Sequence, residues 1–304
     1  MRMTDSSKIH VLDVRFLEES EVIACYLIES EQGPILVETG PETTFENLKS
    51  AVAQKGFNWR DIEHVLLTHI HFDHAGAAWK FAENGADIYV HPKGLPHLNN
   101  PERLWNSAKR IYQDDMEMLW GKMKPIAQSR LIPLENGQEL NIGEHSFKVH
   151  YAPGHAVHHN AYQLEEALFT GDVAGVKICG GPVVPPCPPP DIHIEAWKES
   201  IHKLRTLDVE TLYIAHFGRV ESPQQHFSDL EMMLNDWAHW MKPYYEGQSD
   251  PKAIIPQFRT YTHDQLKALG ASEGVAVKYE KANPSYMSVT GLLRYWKLKE
   301  QGRI

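Results

Sequence analysis

A short run of histidines and aspartate constrains this chain more than any other feature. Residues 68–76 read Thr-His-Ile-His-Phe-Asp-His-Ala-Gly, with more metal-binding side chains than one ion needs: His69, His71, Asp73 and His74. The apolar, partly β-branched residues 64–68 predict a buried strand, and residues 75–82 predict a short helix. The run therefore lies on a strand-to-helix turn, where an open α/β sheet places its functional residues.

Alternation within the run predicts which side chains face together. His69, His71 and Asp73 are spaced by two, so in an extended segment they project to one side. His74 breaks this alternation and faces elsewhere, which suits a cluster that serves two ions. The alternative is a set of ordinary surface histidines on a loop. The strand before the run and the helix after it favour the metal site.

Length and composition describe a globular protein. The chain has 304 residues, of which 42% are hydrophobic and 23% charged, enough for one large domain with an appendage. Its apolar runs are too short to span a membrane, and residues 1–8 lack the apolar segment of a secretory signal. Three widely spaced cysteines without a Cys-x-x-Cys pair favour a reducing compartment, so we expect a cytoplasmic protein.

The charge balance argues against a nucleic-acid partner. The formal net charge is −10, whereas proteins that bind nucleic acids draw most of their affinity from Lys and Arg. We therefore expect a small-molecule substrate, with neither nucleic acid nor a membrane as a partner.

The order of predicted elements indicates an α/β protein with two sheets. Strands are predicted in two successive sets, each followed by helices, which favours two sheets packed face to face with helices outside. Residues 161–169 are predicted as one strand and residues 211–215 as the last core strand. The predicted catalytic domain covers residues 1–222, with a helical insertion at about 101–124, and residues 223–304 form a C-terminal helical region.

Two later segments have a distinct character. Residues 180–190 are rich in proline and must be stiff and extended; we interpret them as a rigid spacer, with direct substrate contact as the alternative. In the C-terminal region an apolar stripe at helical spacing predicts packing on the protein's own core, with the seam of a homodimer as the alternative: Phe227, Leu230, Leu234, Trp237 and Met241.

Three further metal-binding side chains follow predicted strands. His155 ends the segment Tyr-Ala-Pro-Gly-His, Asp172 ends Phe-Thr-Gly-Asp, and His216 ends Tyr-Ile-Ala-His. Each lies just beyond the carboxyl end of a strand, so all of them can converge on one edge of the two sheets. Together with the histidine-rich run, they supply donors for more than one metal ion.

These residues, in this order, resemble the metallo-β-lactamase superfamily, in the branch of binuclear hydrolases that includes glyoxalase II-like thioesterases and lactonases. The resemblance covers positions from about 36 to 216. It implies a four-layer αββα sandwich, followed here by additional C-terminal helices. It also implies a ligand set, with a first metal held by His69, His71 and His155, a second by Asp73, His74 and His216, and Asp172 bridging the two.

The resemblance and the donor types together predict the chemistry. Two cations sharing a water make hydroxide available near neutral pH, which favours a hydrolase acting on a small ester, thioester or lactone. Asp73 has a predicted second task as the catalytic residue that orients the water or carries a proton. Nitrogen and carboxylate donors without a thiolate favour zinc, and iron and manganese fit the same set.

Two positions depart from the family pattern. Ala156-Val157-His158 stands where Thr/Ser-Pro-Gly is more frequent, just before His159. For His159 we predict a hydrogen bond that supports the ligands rather than ligation of a metal. Glu38 stands where the family usually has Asp, and its extra methylene leaves the role of this carboxylate open.

Other chemistries of this superfamily are the alternatives. A mono-iron enzyme resembling persulfide dioxygenases would leave Asp73, His74 and His216 without a metal. A phosphodiesterase or nuclease is disfavoured by the acidic charge, and a flavodiiron-type oxygen reductase is disfavoured because it typically has a carboxylate where His71 stands. A non-catalytic scaffold is disfavoured because the whole ligand set is present.

The walls of the substrate pocket are the least constrained part of the sequence. Aromatic and methionine side chains in the insertion and the C-terminal region predict an apolar lid, with ordinary packing as the alternative: Trp105, Tyr112, Met116, Met118, Trp120, Tyr286 and Met287. No pair of basic residues that would hold an anionic group is apparent in the sequence.

Overall fold

A computed structural model describes residues 8–304, which form two six-stranded sheets. Residues 1–7, which belong to the segment without a predicted secretory signal, lie outside the described residues. The first sheet has the spatial order β1-β2-β3-β4-β5-β6, antiparallel up to β3 and parallel from β3 onwards. Its strands are β1 (Ile9–Asp13), β2 (Ala24–Ile28), β3 (Ile35–Val37), β4 (His64–Leu66), β5 (Asp87–Val90) and β6 (Leu131–Pro133).

The second sheet has the spatial order β12-β11-β10-β9-β8-β7, and only β10 and β11 are parallel neighbours. Its strands are β7 (Glu139–Ile142), β8 (His145–Tyr151), β9 (Asn160–Leu164), β10 (Ala167–Phe169), β11 (Thr211–Ile214) and β12 (Gly218–Val220).

Helices cover the outer face of each sheet. The first sheet packs against α1 (Phe45–Gln54), α2 (Phe72–Ala75), α3 (Ala78–Glu83), α4 (Leu95–Asn99), α5 (Glu102–Tyr112) and α6 (Met116–Trp120). The second sheet packs against α7 (Ile194–Arg205), α8 (Pro223–Glu246), α9 (Pro251–Ala268), α10 (Glu273–Ala282) and α11 (Ser285–Glu300). The predicted insertion at about 101–124 contains α5 and α6.

A third apolar core lies between the two sheets. Residues that alternate along the strands contribute large side chains to it from both sides, including Tyr26 and Val37 from the first sheet and Phe147, Tyr162 and Phe169 from the second. This alternation is the period-two pattern of strands that bury one face against another sheet. The predicted αββα sandwich with additional C-terminal helices is thereby confirmed.

Two predictions for the second sheet are wrong in detail. Residues 161–169 form two antiparallel strands rather than one, because the chain reverses at Glu165, which has a φ of 51°. Residues 211–215 do not contain the last strand, since β12 follows and pairs with β11 at the edge of the sheet. Only Glu165 and Glu166 separate β9 from β10, so the two strands are joined by a tight two-residue turn. Neither residue is the Gly or Asn that usually marks such a turn in a sequence.

The C-terminal helices share the core of the second sheet. All five residues of the predicted apolar stripe are buried there, as the packing interpretation predicts. This stripe is therefore inside the protein, and a homodimer through the C-terminal helices would have to use another of their surfaces. The division into domains at residue 222 stays a prediction.

The described residues also bear on membrane and disulfide expectations. No helix among residues 8–304 is long and apolar enough to cross a membrane. Cys25, Cys179 and Cys187 are all free thiols.

Candidate metal centre

The predicted ligands converge where strands of both sheets end. The histidine-rich run follows β4 of the first sheet, while His155, Asp172 and His216 follow β8, β10 and β11 of the second. Their donor atoms form two groups, each with all atoms within 4.8 Å of one another: His69, His71 and His155, and Asp73, His74, Asp172 and His216. We call the trio His69, His71 and His155 the first compartment and the trio Asp73, His74 and His216 the second compartment.

The histidine-rich run divides between the compartments at the start of α2. His71 is still extended, with φ −63° and ψ 155°, and the helix begins at Phe72. The expectation that His69, His71 and Asp73 face one side is therefore wrong, because the alternation ends at His71. Asp73 lies in the first turn of α2 and faces the second compartment together with its helical neighbour His74.

Three imidazole nitrogens meet in the first compartment. Nδ1 of His71 lies 3.0 Å from Nε2 of His69 and 3.1 Å from Nε2 of His155. His69 and His155 are fully buried, whereas His71 is partly exposed. The compartment thus opens toward solvent on the His71 side.

Carboxylates distinguish the second compartment from the first. Oδ2 of Asp73 lies 3.3 Å from Nε2 of His216 and 3.7 Å from Nε2 of His74. His74 and His216 are buried, and Asp73 is partly exposed.

Asp172 stands between the two compartments. Its Oδ2 lies 3.3 Å from Nε2 of His155, while its Oδ1 lies 3.3 Å from Nε2 of His74 and 3.5 Å from Nε2 of His216. Each oxygen of this buried carboxylate therefore faces a different compartment. This is the arrangement that a bridging ligand requires.

Carbonyl groups of the backbone fix which nitrogen of two ligand histidines carries the proton. Nδ1 of His155 lies 2.9 Å from the carbonyl oxygen of Pro186, and Nδ1 of His216 lies 2.8 Å from that of Val22. A carbonyl only accepts hydrogen bonds, so each Nδ1 donates. In the neutral ring, Nε2 then has a lone pair directed at the compartment.

Glu38 supports both compartments. Its Oε1 accepts the hydroxyl proton of Thr68, so the Thr68 oxygen accepts from Nδ1 of His69 at 3.0 Å and leaves Nε2 of that ring free. The same Oε1 lies 3.3 Å from Nδ1 of His74. Glu38 is buried with a left-handed φ of 65°, and strain of this kind is often kept at functional sites. The longer side chain of Glu38 thus reaches the outer nitrogens of the cluster.

Two further histidines lie against the ligands. Nε2 of His159 accepts a hydrogen bond from the backbone N–H of Asp172 at 3.2 Å, and His159 belongs to neither group of candidate ligands. His158, which the sequence did not single out, is buried, and its ring lies parallel to that of His69 at a centroid distance of 6.2 Å. Its Nε2 is 3.9 Å from Oδ2 of Asp191.

The polar atoms of the cluster fit a cation. Nε2 of His74 and Oδ1 of Asp172 are buried and lack a hydrogen-bond partner in the described part of the chain. In the first compartment, the Nε2 lone pairs of His69 and His155 both point toward the third nitrogen, on His71. Buried nitrogens and carboxylate oxygens that converge without enough protons to pair them all are costly unless a positive charge lies between them. Histidine and carboxylate donors suit zinc, iron or manganese.

The two compartments differ in their protonation. Burial lowers the pKa of His69 and of His155, and it lowers the pKa of His71 to about 3. Burial acts in the same direction on His74 and His216, but the neighbouring carboxylates outweigh it and raise the pKa of both rings. For Asp73, burial raises the pKa while His74 and His216 lower it, to about 2 in balance.

A cavity of about 750 Å³ lies between α4 and α5. Arg103 and Arg110 line it together with His97. His97 also interacts electrostatically with His158, whose ring is 5.7 Å from that of His71. One residue of the cavity wall therefore lies near a histidine that borders the first compartment. Arg103 and Arg110 are seven residues apart, which places both on one face of α5. This spacing is the signal by which the pair could have been predicted from the sequence.

Aromatic residues of the insertion pack beside the ligand run, and the apolar lid over the substrate pocket stays a prediction. Trp105 and Trp120 pack their rings on Phe72, at 5.8 and 6.2 Å, and Trp120 also stacks on Phe16 at 5.4 Å. Met116 is buried in the same core. These side chains therefore hold the insertion against the ligand run, while the cavity beside it is lined mainly by polar and charged residues.

Comparison with known families identifies one match that contains the whole candidate site. The family described as the metallo-beta-lactamase superfamily matches residues 21–216. All of the candidate ligands and Glu38 lie within this range, whereas α8–α11 lie outside it.

Three known proteins illustrate the similarity. A metallo-beta-lactamase fold-containing protein of Sulfurisphaera tokodaii is 28% identical over 238 residues, which cover 75% of this chain and 84% of that protein. An atrochrysone carboxyl ACP thioesterase of Aspergillus fumigatus is 26% identical over 204 residues, 66% of this chain but only 52% of the thioesterase. A crystal structure of a metallo-beta-lactamase family protein of Thermus thermophilus has the same fold over 97% of this chain and 94% of its own, with a TM-score of 0.67 and 20% identity.

Proposed function

The chain belongs to the metallo-beta-lactamase superfamily, and on that premise we propose that it is a binuclear metal-dependent hydrolase of a small ester, thioester or lactone. The observation that carries the proposal is the position of Asp172, whose two carboxylate oxygens face different compartments. A single-metal enzyme would need only one of these trios. A complete second trio beside the first supports a site for two ions.

The chain's own residues have separable tasks in this proposal. His69, His71 and His155 would hold one ion, and Asp73, His74 and His216 the other, with Asp172 shared. When bound, the two ions would lower the pKa of a water between them, so that hydroxide is available to attack a carbonyl carbon near neutral pH. The hydrogen bonds of His155 and His216 to backbone carbonyls orient both rings for this task.

Asp73 is the proposed proton carrier. It is the one partly exposed carboxylate of the cluster, and its pKa of about 2 keeps it ionised at neutral pH. An ionised carboxylate at the solvent side can accept a proton from the attacking water and pass it to the leaving group. Asp172, which is buried, is the less accessible of the two.

The proposed substrate carries an anionic group. Arg103 and Arg110 bring two positive charges, against one negative charge from Glu102, to the cavity between α4 and α5, in a chain whose net charge is −10. Guanidinium groups bind carboxylates and phosphates with paired hydrogen bonds. The similarity to a fungal thioesterase supports a thioester among the three bond types, over the part of that protein which the chain matches.

Metal identity and partners complete the proposal. Zinc is the proposed ion because the donors are imidazoles and carboxylates in a low-coordinate arrangement, and iron or manganese would use the same residues. The acidic net charge favours a small molecule over a nucleic acid. Free cysteines favour work in the cytoplasm, and a homodimer through exposed parts of the C-terminal helices stays a proposal.

Metal analysis and a substrate panel test the proposed function together. Protein purified with added zinc, manganese or iron is expected to retain two ions per chain and to hydrolyse anionic ester, thioester or lactone substrates in preference to phosphodiesters. One iron per chain with oxygen consumption on a persulfide would contradict the proposal in favour of a dioxygenase. Hydrolysis confined to phosphodiesters or RNA would contradict the proposed substrate class.

A further inference from the structure

The proline-rich residues 180–190, here called the proline segment, lie between a candidate ligand and the C-terminal helices. Proline lacks a backbone N–H, so carbonyl oxygens are the main hydrogen-bonding groups by which such a segment is held. The carbonyl of Pro186 accepts from Nδ1 of His155 at 2.9 Å. The segment is thus more than a rigid spacer, because one of its carbonyls orients a histidine ring of the first compartment.

Residues of the C-terminal helices and of the turn after α10 bind three further carbonyls of the proline segment. Asn283, at the end of α10, donates through Nδ2 to Pro185 at 3.1 Å. Tyr279 donates its hydroxyl to Pro182 at 2.5 Å, and Arg294 donates through Nε to Pro190 at 2.9 Å. These three donors lie outside residues 21–216, the range that matches the superfamily.

Close packing leaves the proline segment little room to move away from α11. A Cβ built on Gly291 would lie 1.9 Å from the carbonyl oxygen of Cys187, so only glycine fits at this contact. Cys187 follows Pro186 directly and is fully buried. The backbone that carries the Pro186 carbonyl is therefore fixed from the C-terminal side.

Among these three donors, Asn283 binds the residue that is closest in sequence to Pro186. It holds Pro185, whose carbonyl directly precedes that of Pro186, and it is itself 9% exposed. Its Oδ1 accepts from the hydroxyl of Ser288 at 3.3 Å, which fixes the amide in the orientation that donates to Pro185. Loss of this donor would let the neighbouring carbonyl rotate away from His155.

We propose that Asn283 is a positioning residue for the first compartment, acting through the proline segment on the ring of His155. The inference rests on the proposed metal site and adds that its first compartment depends on helices outside the matched family range. The second compartment depends on the proline segment less directly, because the ring of His216 is oriented by Val22 and the segment reaches the His216 backbone only through the bridge from Val184 to Val176. A change at Asn283 should therefore weaken the ion of the first compartment more than the ion of the second.

Asn283→Ala tests the proposal through metal affinity. Metal-free protein is titrated with zinc against a chromophoric chelator, which resolves the two binding steps without measuring turnover. We expect the affinity of the first compartment's ion to fall by about 10-fold to 100-fold, the usual effect of disturbing an outer hydrogen bond to a metal ligand, and that of the other ion to fall much less. Ser288→Ala, which removes the hydroxyl that donates to Oδ1 of Asn283, is expected to weaken the same ion to a smaller extent.

Asn235→Ala is the matched control. Asn235 lies on α8 and accepts from Lys198 at 3.2 Å, so the same substitution there should leave both affinities unchanged. The proposal is overturned if Asn283→Ala and Ser288→Ala bind both ions as tightly as the unmodified protein. It is also overturned if both ions weaken equally together with a lower melting temperature of the metal-free protein, because that result describes a general structural role. An unmodified protein that binds no metal would instead contradict the proposed function.

Discussion

The two metal compartments are assembled from different parts of the molecule. His216 of the second compartment is oriented by the carbonyl of Val22, next to the point where Ala24 of β2 donates its N–H to Ala215 at 2.8 Å. The two sheets themselves therefore hold this compartment. His155 of the first compartment is oriented by the proline segment, which the C-terminal helices hold in turn.

The compartments also differ in charge. The first consists of three imidazoles whose pKa values are lowered by burial, so these rings are neutral and ready to bind a cation. In the second, the carboxylates of Asp73 and Asp172 raise the pKa of His74 and His216, so a cation must displace protons there. The two compartments therefore differ both in the segments that support their ligands and in how their protonation responds to pH.

Removing the shared carboxylate of Asp172 should weaken metal binding in both compartments at once. In Asp172→Ala, each compartment loses the oxygen that faces it, and we expect neither ion to be retained and hydrolysis to fall by about 1000-fold. Elemental analysis and turnover measure both effects. Asp229→Ala, at an aspartate on α8 whose carboxylate accepts a hydrogen bond from its helical neighbour Gln225 at 2.7 Å, is the control. Retention of both ions by Asp172→Ala would contradict the bridging role.

A matched pair of histidine substitutions should separate the compartments. His155→Ala removes one ligand of the first and His216→Ala one ligand of the second. Each variant is expected to keep one ion and to lose about 100-fold or more in hydrolysis, because attack needs both ions. Spectra of the cobalt-substituted variants should differ, since the remaining ion has three imidazoles in one case and carboxylate donors in the other. Identical spectra and affinities would contradict the division into two compartments.

Acidification should remove the ion of the second compartment first. A raised pKa means that His74 and His216 become protonated at a higher pH than an ordinary histidine, and protons then compete with the metal. The pKa of His71, lowered to about 3, keeps the first compartment deprotonated over the same range. Dialysis from about pH 7.5 to about pH 5.5, which brackets the ordinary histidine pKa, should reduce the content to one ion. Simultaneous loss of both ions, or first loss of the ion bound by His155, would contradict this order.

Glu38 should affect both compartments moderately. Glu38→Gln removes the negative charge that accepts from the hydroxyl of Thr68 and lies 3.3 Å from Nδ1 of His74, so we expect both affinities to fall by about 10-fold. Chelator competition measures this change, and Glu46→Gln on the exposed face of α1 is the control. An effect limited to the second compartment would show that the contact through Thr68 does not support His69.

The cavity should give the smallest effect, on substrate binding alone. Arg110→Gln is expected to raise KM for an anionic ester by about tenfold, the loss of one charge-assisted hydrogen bond, while kcat and metal content stay unchanged. Lys109→Gln, on the adjacent position of α5 but outside the cavity lining, is the matched control. Equal KM values for the two variants would contradict an anionic substrate group at this cavity.

The strand ends explain why so much of the candidate site could be predicted from the sequence. His155, Asp172 and His216 each follow a strand by a few residues, so local pattern alone places them at one sheet edge. The start of α2 at Phe72 was not predictable in this way, because residues 68–76 fit an extended segment and a helical turn equally well. The turn at Glu165 was missed for a related reason, since its residues have no turn preference.

Long-range contacts account for the rest. The bond between His155 and Pro186 joins residues 31 apart, and that between Asn283 and Pro185 joins residues 98 apart. Nothing in the local composition of residues 180–190 indicates which carbonyls will be used. The support of Glu38 for Thr68 and His74 depends in the same way on packing of β3 against β4. Such contacts follow from the fold and not from sequence pattern.

The most direct test of the central claim is anomalous X-ray diffraction from crystals of the protein loaded with zinc. The account predicts two anomalous peaks per chain, one among His69, His71 and His155 and one among Asp73, His74 and His216, with the carboxylate of Asp172 between them. A single peak in either compartment, from protein that is catalytically active with the same metal content, would contradict a binuclear hydrolase.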